Sequence, residues 1–248
     1  MDTVAPVEYW DSRYASQALR YEPEDLPFKE VFEEYLPTGG TCFEIGCYPG
    51  PFLIYLGKRF GYTVSGIDTT PYVASQMPEH LRRNGVSVGS LTQGNFFAFD
   101  AGRRFDVVCS FGFLEHFKNF REVIRKQAQM VAPGGTIVIS CPNFRKLQYA
   151  LHRWLDPVNL RRHVVAAMDL DVWEETLREQ GFSVVHRGYY GTAGFWREDP
   201  PPSRFRDWVS RLVTRFCRGI DRRITIPNRW LSPYMICVAR RDAVDEQR

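Results

Sequence analysis

The sequence predicts an α/β fold, a doubly wound and mostly parallel sheet with helices on both faces. Three observations predict it. Short apolar runs recur at Thr41–Ile45, Tyr62–Ile67, Val86–Leu91, Phe105–Ser110, Thr136–Ser140, Phe182–Tyr190 and Tyr234–Ala239, the length of buried strands. Most are separated by segments with apolar residues at three- and four-residue steps, the helical period. The first run stops abruptly on Glu44, Gly46 and Gly50 within TCFEIGCYPG. Glycines just past a strand end let the backbone turn tightly and let a ligand approach it.

Each element follows in order. Met1–Pro37 is a helical entry segment, with Tyr9, Trp10, Arg13 and Tyr14 close together and Phe28, Val31, Phe32, Tyr35 and Leu36 on a later helix. Thr38-Gly39-Gly40 is a turn. After the glycine loop, Pro51 suits a first helical turn, and Phe52, Leu53, Leu56 and Phe60 keep helical spacing. The second strand closes on Asp68. Strand, glycine turn, helix and strand make a nucleotide-binding βαβ unit, with an acidic residue about 20 residues past the glycines for ribose hydroxyls. Thr69-Thr70-Pro71 reads as an N-cap opening a helix through Leu81, and Gly94-Asn95-Phe96-Phe97 follows the third strand. Ligands of doubly wound sheets sit beyond the carboxyl ends of the strands. Ser110 and Phe111 should therefore line the nucleotide pocket, with Glu115 and His116 on its substrate side.

Asn119–Val131 is an amphipathic helix, and Ala132-Pro133-Gly134-Gly135 turns into the fifth strand, rich in β-branched residues. Pro142–Ala166 is a basic, loop-rich insertion. Asp169–Gln180 is a helix stopped by Gly181. Phe205–Arg223 carries Phe205, Trp208, Val209, Leu212, Val213, Phe216 and Ile220 at helical steps, with Arg204, Arg211, Arg215, Arg218 and Arg222 mostly off that stripe. Such a helix packs on the sheet edge, pairs with a second subunit as a homodimer, or lies on a membrane surface as a peripheral contact.

Glu44-x-Gly46-x-x-x-Gly50 with Asp68 ending the next strand resembles the class I S-adenosylmethionine-dependent methyltransferases, with Tyr48 where that family often has a middle glycine. The resemblance implies a seven-stranded Rossmann-like sheet whose last strand is antiparallel, and S-adenosyl-L-methionine as cofactor. It implies Glu44 near the amino end of the cofactor and Asp68, followed by Thr69, on the ribose. Asn95 stands where the family faces the adenine amine, beside Phe96 as apolar contact. YWDSRY resembles the family's opening lid, with Tyr14 at the methionine end. An acidic-His pair after the fourth strand and a proline-glycine-glycine turn before the fifth are similar to its small-molecule branches. It implies a lid over residues 1–40 and a methyltransferase domain over 41–248, with substrate-covering insertions at about 142–168 and 191–232. The wider layout resembles bacterial methyltransferases of sugars and surface polysaccharides, and so implies O-methylation of a sugar or glycoconjugate. A natural-product or quinone-like small molecule is the alternative acceptor.

Composition narrows the other classes. At 248 residues and 44% apolar, the chain suits one domain with additions and a substantial core. No run of 18 apolar residues predicts a spanning helix, and the N-terminus lacks a secretory pattern. The cysteines show no CxxC spacing and read as buried thiols of a reducing, cytoplasmic setting. The net charge is only +3, yet Ser203–Arg248 holds eleven arginines against five acidic residues. That excess points to an anionic partner or surface, or to a solvated face. Nucleic acid is a poor acceptor: no aromatic-basic RNA motif occurs, and SFGF stands where base-methylating branches carry Asn/Asp-Pro-Pro-aromatic.

Methylating a hydroxyl needs a group to take its proton, and histidine suits neutral pH. His80 on an outer helix and His186 within a strand are poorly placed. His116 after the fourth strand and His163 in the covering insertion are the candidate bases, with Glu115 beside them. No metal is expected, because no second carboxylate neighbours Glu115. An NAD-binding oxidoreductase and a non-catalytic membrane-docked scaffold are the readings from other classes.

Overall fold

The computed structural model describes residues 3–15, 19–200 and 203–243. The outer ends of the predicted lid and domain, and Pro201–Pro202 of the second insertion, lie outside the described residues. Seven strands form one sheet: β1 (Thr41–Ile45), β2 (Thr63–Asp68), β3 (Val88–Gln93), β4 (Phe105–Phe111), β5 (Val131–Pro142), β6 (Phe182–Tyr190) and β7 (Tyr234–Arg241). Their order is β3-β2-β1-β4-β5-β7-β6. The pairs β3–β2, β2–β1, β1–β4 and β4–β5 are parallel, and β7 runs antiparallel to both β5 and β6. The order reverses beside β1, so the crevice between the ends of β1 and β4 is the topological switch point where ligands bind.

Among the described residues ten α-helices precede or connect the strands: α1 (Val7–Tyr14), α2 (Lys29–Tyr35), α3 (Pro51–Phe60), α4 (Tyr72–Ser75), α5 (Met77–Arg83), α6 (Phe120–Gln129), α7 (Lys146–Leu155), α8 (Pro157–Arg161), α9 (Leu170–Glu179) and α10 (Arg204–Asp221). Strand side chains alternate between two cores. Phe43, Ile45, Val108, Ile137 and Ile139 pack with residues of α6 and α9 on one face. Cys42, Val64, Val107, Cys109 and Val138 pack with α2, α3 and α5 on the other. Burial on both faces explains why these strands read as continuous apolar runs. All six cysteines are buried and unpaired by disulfides.

Four expectations change. The helix predicted to run from Thr69-Thr70-Pro71 through Leu81 has no side-chain cap and breaks at Gln76 into α4 and α5. Pro78 sits in the first turn of the second piece, where its missing N–H costs nothing. The Ala132–Gly135 turn is a bulged stretch inside β5, with Gly134 at φ 71° and the β4 register shifting beside it. The insertion predicted as loops forms α7 and α8, because Leu151 and Leu155 find apolar partners in Ala193, Phe195 and Cys217. The amphipathic helix α10 rests on that same cluster rather than on the sheet.

Candidate active site

The site begins where β1 ends. Gly46 takes φ 73°, and a Cβ there would lie 2.9 Å from the Phe113 ring. Gly50 takes φ 94°, caps α3 and would push a Cβ to within 2.8 Å of Met77, so its role is the turn and not the pocket wall. Asp68 pins this loop from β2. Its Oδ2 accepts from the Tyr48 N–H at 3.0 Å and its Oδ1 from the Thr70 N–H at 3.1 Å. Burial raises the Asp68 pKa, and these backbone donors oppose the rise. Glu44 is 3% exposed, and its Oε2 has no hydrogen-bond partner. Burial, with the Cys42 thiol and Asp68 nearby, raises its pKa well above the usual carboxylate range.

Glu44 and Asp68 border one cavity of about 400 Å³. Tyr14, Gly46, Thr69, Asn95, Phe96 and Phe111, all candidate cofactor contacts, also line it. Phe111 stacks on Phe52 with centroids 3.8 Å apart. The Asn95 Oδ1 accepts from the Phe97 N–H at 2.9 Å, which leaves its amide N–H groups for a ligand. Ser110 is a correction. It faces away from the cavity, fully buried, and donates to Gln127 Oε1 on α6 at 3.1 Å. Successive strand residues point to opposite faces, so Phe111 and Ser110 cannot both face the crevice.

A second cavity, of about 270 Å³, adjoins the first; Trp10, Tyr14, Pro49, Gly112 and His116 line both. Glu115, His116 and His163 meet in it. His116 Nδ1 lies 2.8 Å from the Arg162 carbonyl and His163 Nδ1 lies 2.8 Å from the Asn159 carbonyl. A carbonyl only accepts, so each Nδ1 carries the proton and each Nε2 offers a lone pair. The two rings are 4.8 Å apart. Burial is the main cause that lowers His116 to about 3 and His163 to about 4. Glu115 is 1% exposed, its Oε2 lacks a partner, and burial raises it to about 8. Its Oε1 lies 3.9 Å from His116 Nε2. One ligand atom from each of these three residues falls within 4.8 Å of the others, a set of two imidazoles and a carboxyl able to hold a cation. The expectation of no metal considered only the neighbours of Glu115 in sequence; the third group arrives from the insertion.

Beyond the lid aromatics, the walls of this cavity escaped the sequence. Trp10 of α1 sets its edge against His116 at 5.0 Å, and Tyr14 does the same against Tyr48 at 4.9 Å. Tyr9 donates to Glu198 Oε2 at 2.9 Å, and Arg13 bonds the same oxygen at 3.1 Å. Arg162 lies 4.1 Å from the Tyr9 ring centroid and is paired with Asp199. Trp196 stacks on Tyr234 at 5.3 Å, and Phe144 meets His163 at 4.7 Å. The acidic pair Glu198-Asp199 before a proline run, within an otherwise basic region, is the one signal that could have flagged this latch.

Residues 14–187 match the family model of a methyltransferase domain. The chain belongs to the class I S-adenosylmethionine-dependent methyltransferases. This methyltransferase is 29% identical over 143 residues to the ubiquinone biosynthesis O-methyltransferase of Stutzerimonas stutzeri, covering 57% of the chain and 61% of that relative. It is 29% identical over 151 residues to the enzyme of the same name from Xanthomonas axonopodis, covering 56% and 63%. The chain thus spans about three-fifths of the length of these curated relatives. Its fold matches the N-methyltransferase NodS of Bradyrhizobium japonicum, solved with S-adenosyl-L-homocysteine, with TM-score 0.58 at 15% identity over 97% of the chain and 99% of that structure.

The residues of this methyltransferase fit the family's cofactor. Glu44 holds an unpartnered buried oxygen, Asp68 keeps free lone pairs beside its two backbone donors, and the Gly46 backbone leaves a cradle that a side chain would fill. By the family resemblance, Asp68 and Thr69 would hold ribose hydroxyls, Asn95 and Phe96 the adenine, and Glu44 with Tyr14 the methionyl end.

Proposed function

We propose that this methyltransferase transfers a methyl group to an aryl hydroxyl of a phenol- or quinol-like small molecule. The junction of the two cavities at His116 carries this reading. When bound, S-adenosylmethionine supplies a methyl group that is already electrophilic. The chain's part is to hold the acceptor oxygen in line, within about 3–3.5 Å, and to take its proton. His116 Nε2 stands at the junction, and His163 Nε2 backs it. The proton leaving the oxygen would go to His116 Nε2 as the methyl group's C–S bond gives way to the new C–O bond, leaving a neutral thioether. The imidazolium so made lies beside the Glu115 carboxyl. Trp10 and Tyr14 cover the junction and exclude water.

Two observations favour an aryl over a sugar hydroxyl. Trp10, Phe144, Trp196 and Tyr234 supply flat walls, while the charged groups nearby are paired with each other. A weakly basic buried imidazole takes a proton more readily from a phenolic hydroxyl, with a pKa of about 10, than from a far less acidic aliphatic one. The curated relatives' names point the same way. Incubation with S-adenosylmethionine and matched panels of catechols, quinols and sugars tests this. Methylated catechols or quinols are expected; methylation confined to sugars overturns it.

The clustering of Glu115, His116 and His163 favours a second reading, in which a first-row cation held there lowers the acceptor's pKa. Unchanged turnover after chelation and dialysis supports the metal-free base. Loss of turnover, restored by Mn²⁺ or Zn²⁺, supports the cation.

A further inference from the structure

α10 has two outer strips and one inner strip. Ser210 and Cys217 are buried, and Val209, Val213 and Ile220 pack on α7 and the Ala193–Phe195 segment. Phe205, Trp208, Leu212 and Phe216 point outward, with Phe216 69%, Phe205 63% and Trp208 58% exposed. Arg204, Arg211, Arg215, Arg218 and Arg222 are all exposed and follow one another at helical steps. At about 100° per residue they fall within roughly 60° of each other, alongside the aromatic strip. Both acidic residues of the helix are already occupied, one of them by Arg211 of this row. Asp207 pairs with Arg197 and Arg211, and Asp221 accepts from the Thr192 N–H at 2.6 Å. Among the described residues, Arg204, Arg215, Arg218 and Arg222 therefore face outward without an acidic partner. Trp154 of α7 extends the aromatic strip, with its ring 6.4 Å from Phe205.

We infer that this face docks on a bilayer of anionic lipid. Aromatic side chains beside a row of unpaired guanidinium groups suit the boundary between headgroups and acyl chains. The charge pattern disfavours a second copy of the chain as occupant. A two-fold interface would set this arginine row against itself. No described helix is long and apolar enough to cross a membrane, and the contact lies in the surface plane. The same α7 carries His152, which packs on Phe144 at 4.0 Å, and Phe144 walls the acceptor cavity. The docked face is thus the outer side of the layer that covers the acceptor. Deepened this way, the acceptor proposed above is an amphiphile taken from the bilayer, but the docking itself stands on α10 alone.

Co-sedimentation of the full chain tests it with vesicles of phosphatidylglycerol and phosphatidylcholine, against phosphatidylcholine alone. Binding is expected to the anionic vesicles and to fall with added salt. R215E/R218E should weaken it at least tenfold, and F205S/W208S/F216S should do the same. The thermal shift by S-adenosylhomocysteine should stay unchanged in R215E/R218E. If the aromatic variant does not fold, the arginine variant decides alone. Absence of binding to anionic vesicles, equal binding to neutral ones, or binding unaffected by R215E/R218E overturns the inference. So does a dimer that dissociates in those variants. None of these readouts involves methyl transfer, so they fail or succeed apart from the acceptor.

Discussion

His116 and His163 present the same half of the imidazole to the acceptor because each commits its Nδ1–H to a main-chain carbonyl. Either ring can then receive a proton without first turning. His116→Ala and His163→Ala should each lower kcat by about 10²–10⁴ if that ring is the base, while S-adenosylhomocysteine binding, read by calorimetry, stays within a few-fold. Full turnover in both variants removes the base assignment. Burial holds both rings neutral well below the ordinary histidine range, at about 3 and about 4. The acid limb of the kcat profile should therefore lie near pH 4 or below; a limb near 6.5 would show a solvated base. Both histidines were legible in the sequence, one from its place after the fourth strand and one from the covering insertion. Which nitrogen each offers was not, because it depends on main-chain carbonyls, that of Arg162 just past α8 for His116 and that of Asn159 within α8 for His163, which a residue pattern does not display. Ser110 was misplaced for a related reason: a sequence shows where a strand ends but not which of its last two side chains meets the crevice.

At the scale of elements, α7 is the piece the sequence hides best. Its basic residues suggest a loop, yet it folds because its other side is apolar and meets the Ala193–Phe195 segment. Within it, His152 is fully buried with neither ring nitrogen partnered, between Phe144, Phe195 and Trp196. An unsatisfied buried polar group costs about 1–3 kcal/mol. Burial holds His152 at about 3 in the folded chain, below its ordinary 6.5. The unfolded chain thus binds the proton first as pH falls, so stability holds above pH 6.5 and is lost between 6.5 and about 3. His152→Phe should raise the melting temperature at pH 7, and the gain should widen at pH 5. Melts of both proteins at the two pH values check this; a parental chain no more acid-sensitive than the variant refutes it. The direction of β7 was legible only through the family resemblance, because pattern alone places a strand but does not orient it.

For the whole molecule, the two acids Glu44 and Asp68 sit on neighbouring strand tips because β1 and β2 pair in parallel register, Glu44 beside Gly66 and Ile45 beside Ile67. A ligand bridging them ties β1 to β2 and stabilises only the folded chain. At 100 times its Kd, S-adenosylhomocysteine should add about 2.7 kcal/mol, or a rise of about 5–10 °C for a chain of this size; NAD should add nothing. Stabilisation by NAD alone would overturn the cofactor assignment. The sheet and the glycine loop were open to prediction because each is local in sequence. The acceptor cavity was open only through its lid aromatics and histidines, since its other walls, among them Phe144, Trp196, Glu198 and Tyr234, are scattered along the chain. Finally, α1 buries none of its own residues and hangs over both cavities by Trp10, Tyr14 and the Glu198 latch. If α1 moves as one piece, a single element would gate both cavities, and neither product would depart until it swung aside. Thickening the solvent with sucrose should slow kcat in proportion where that swing is the slowest event.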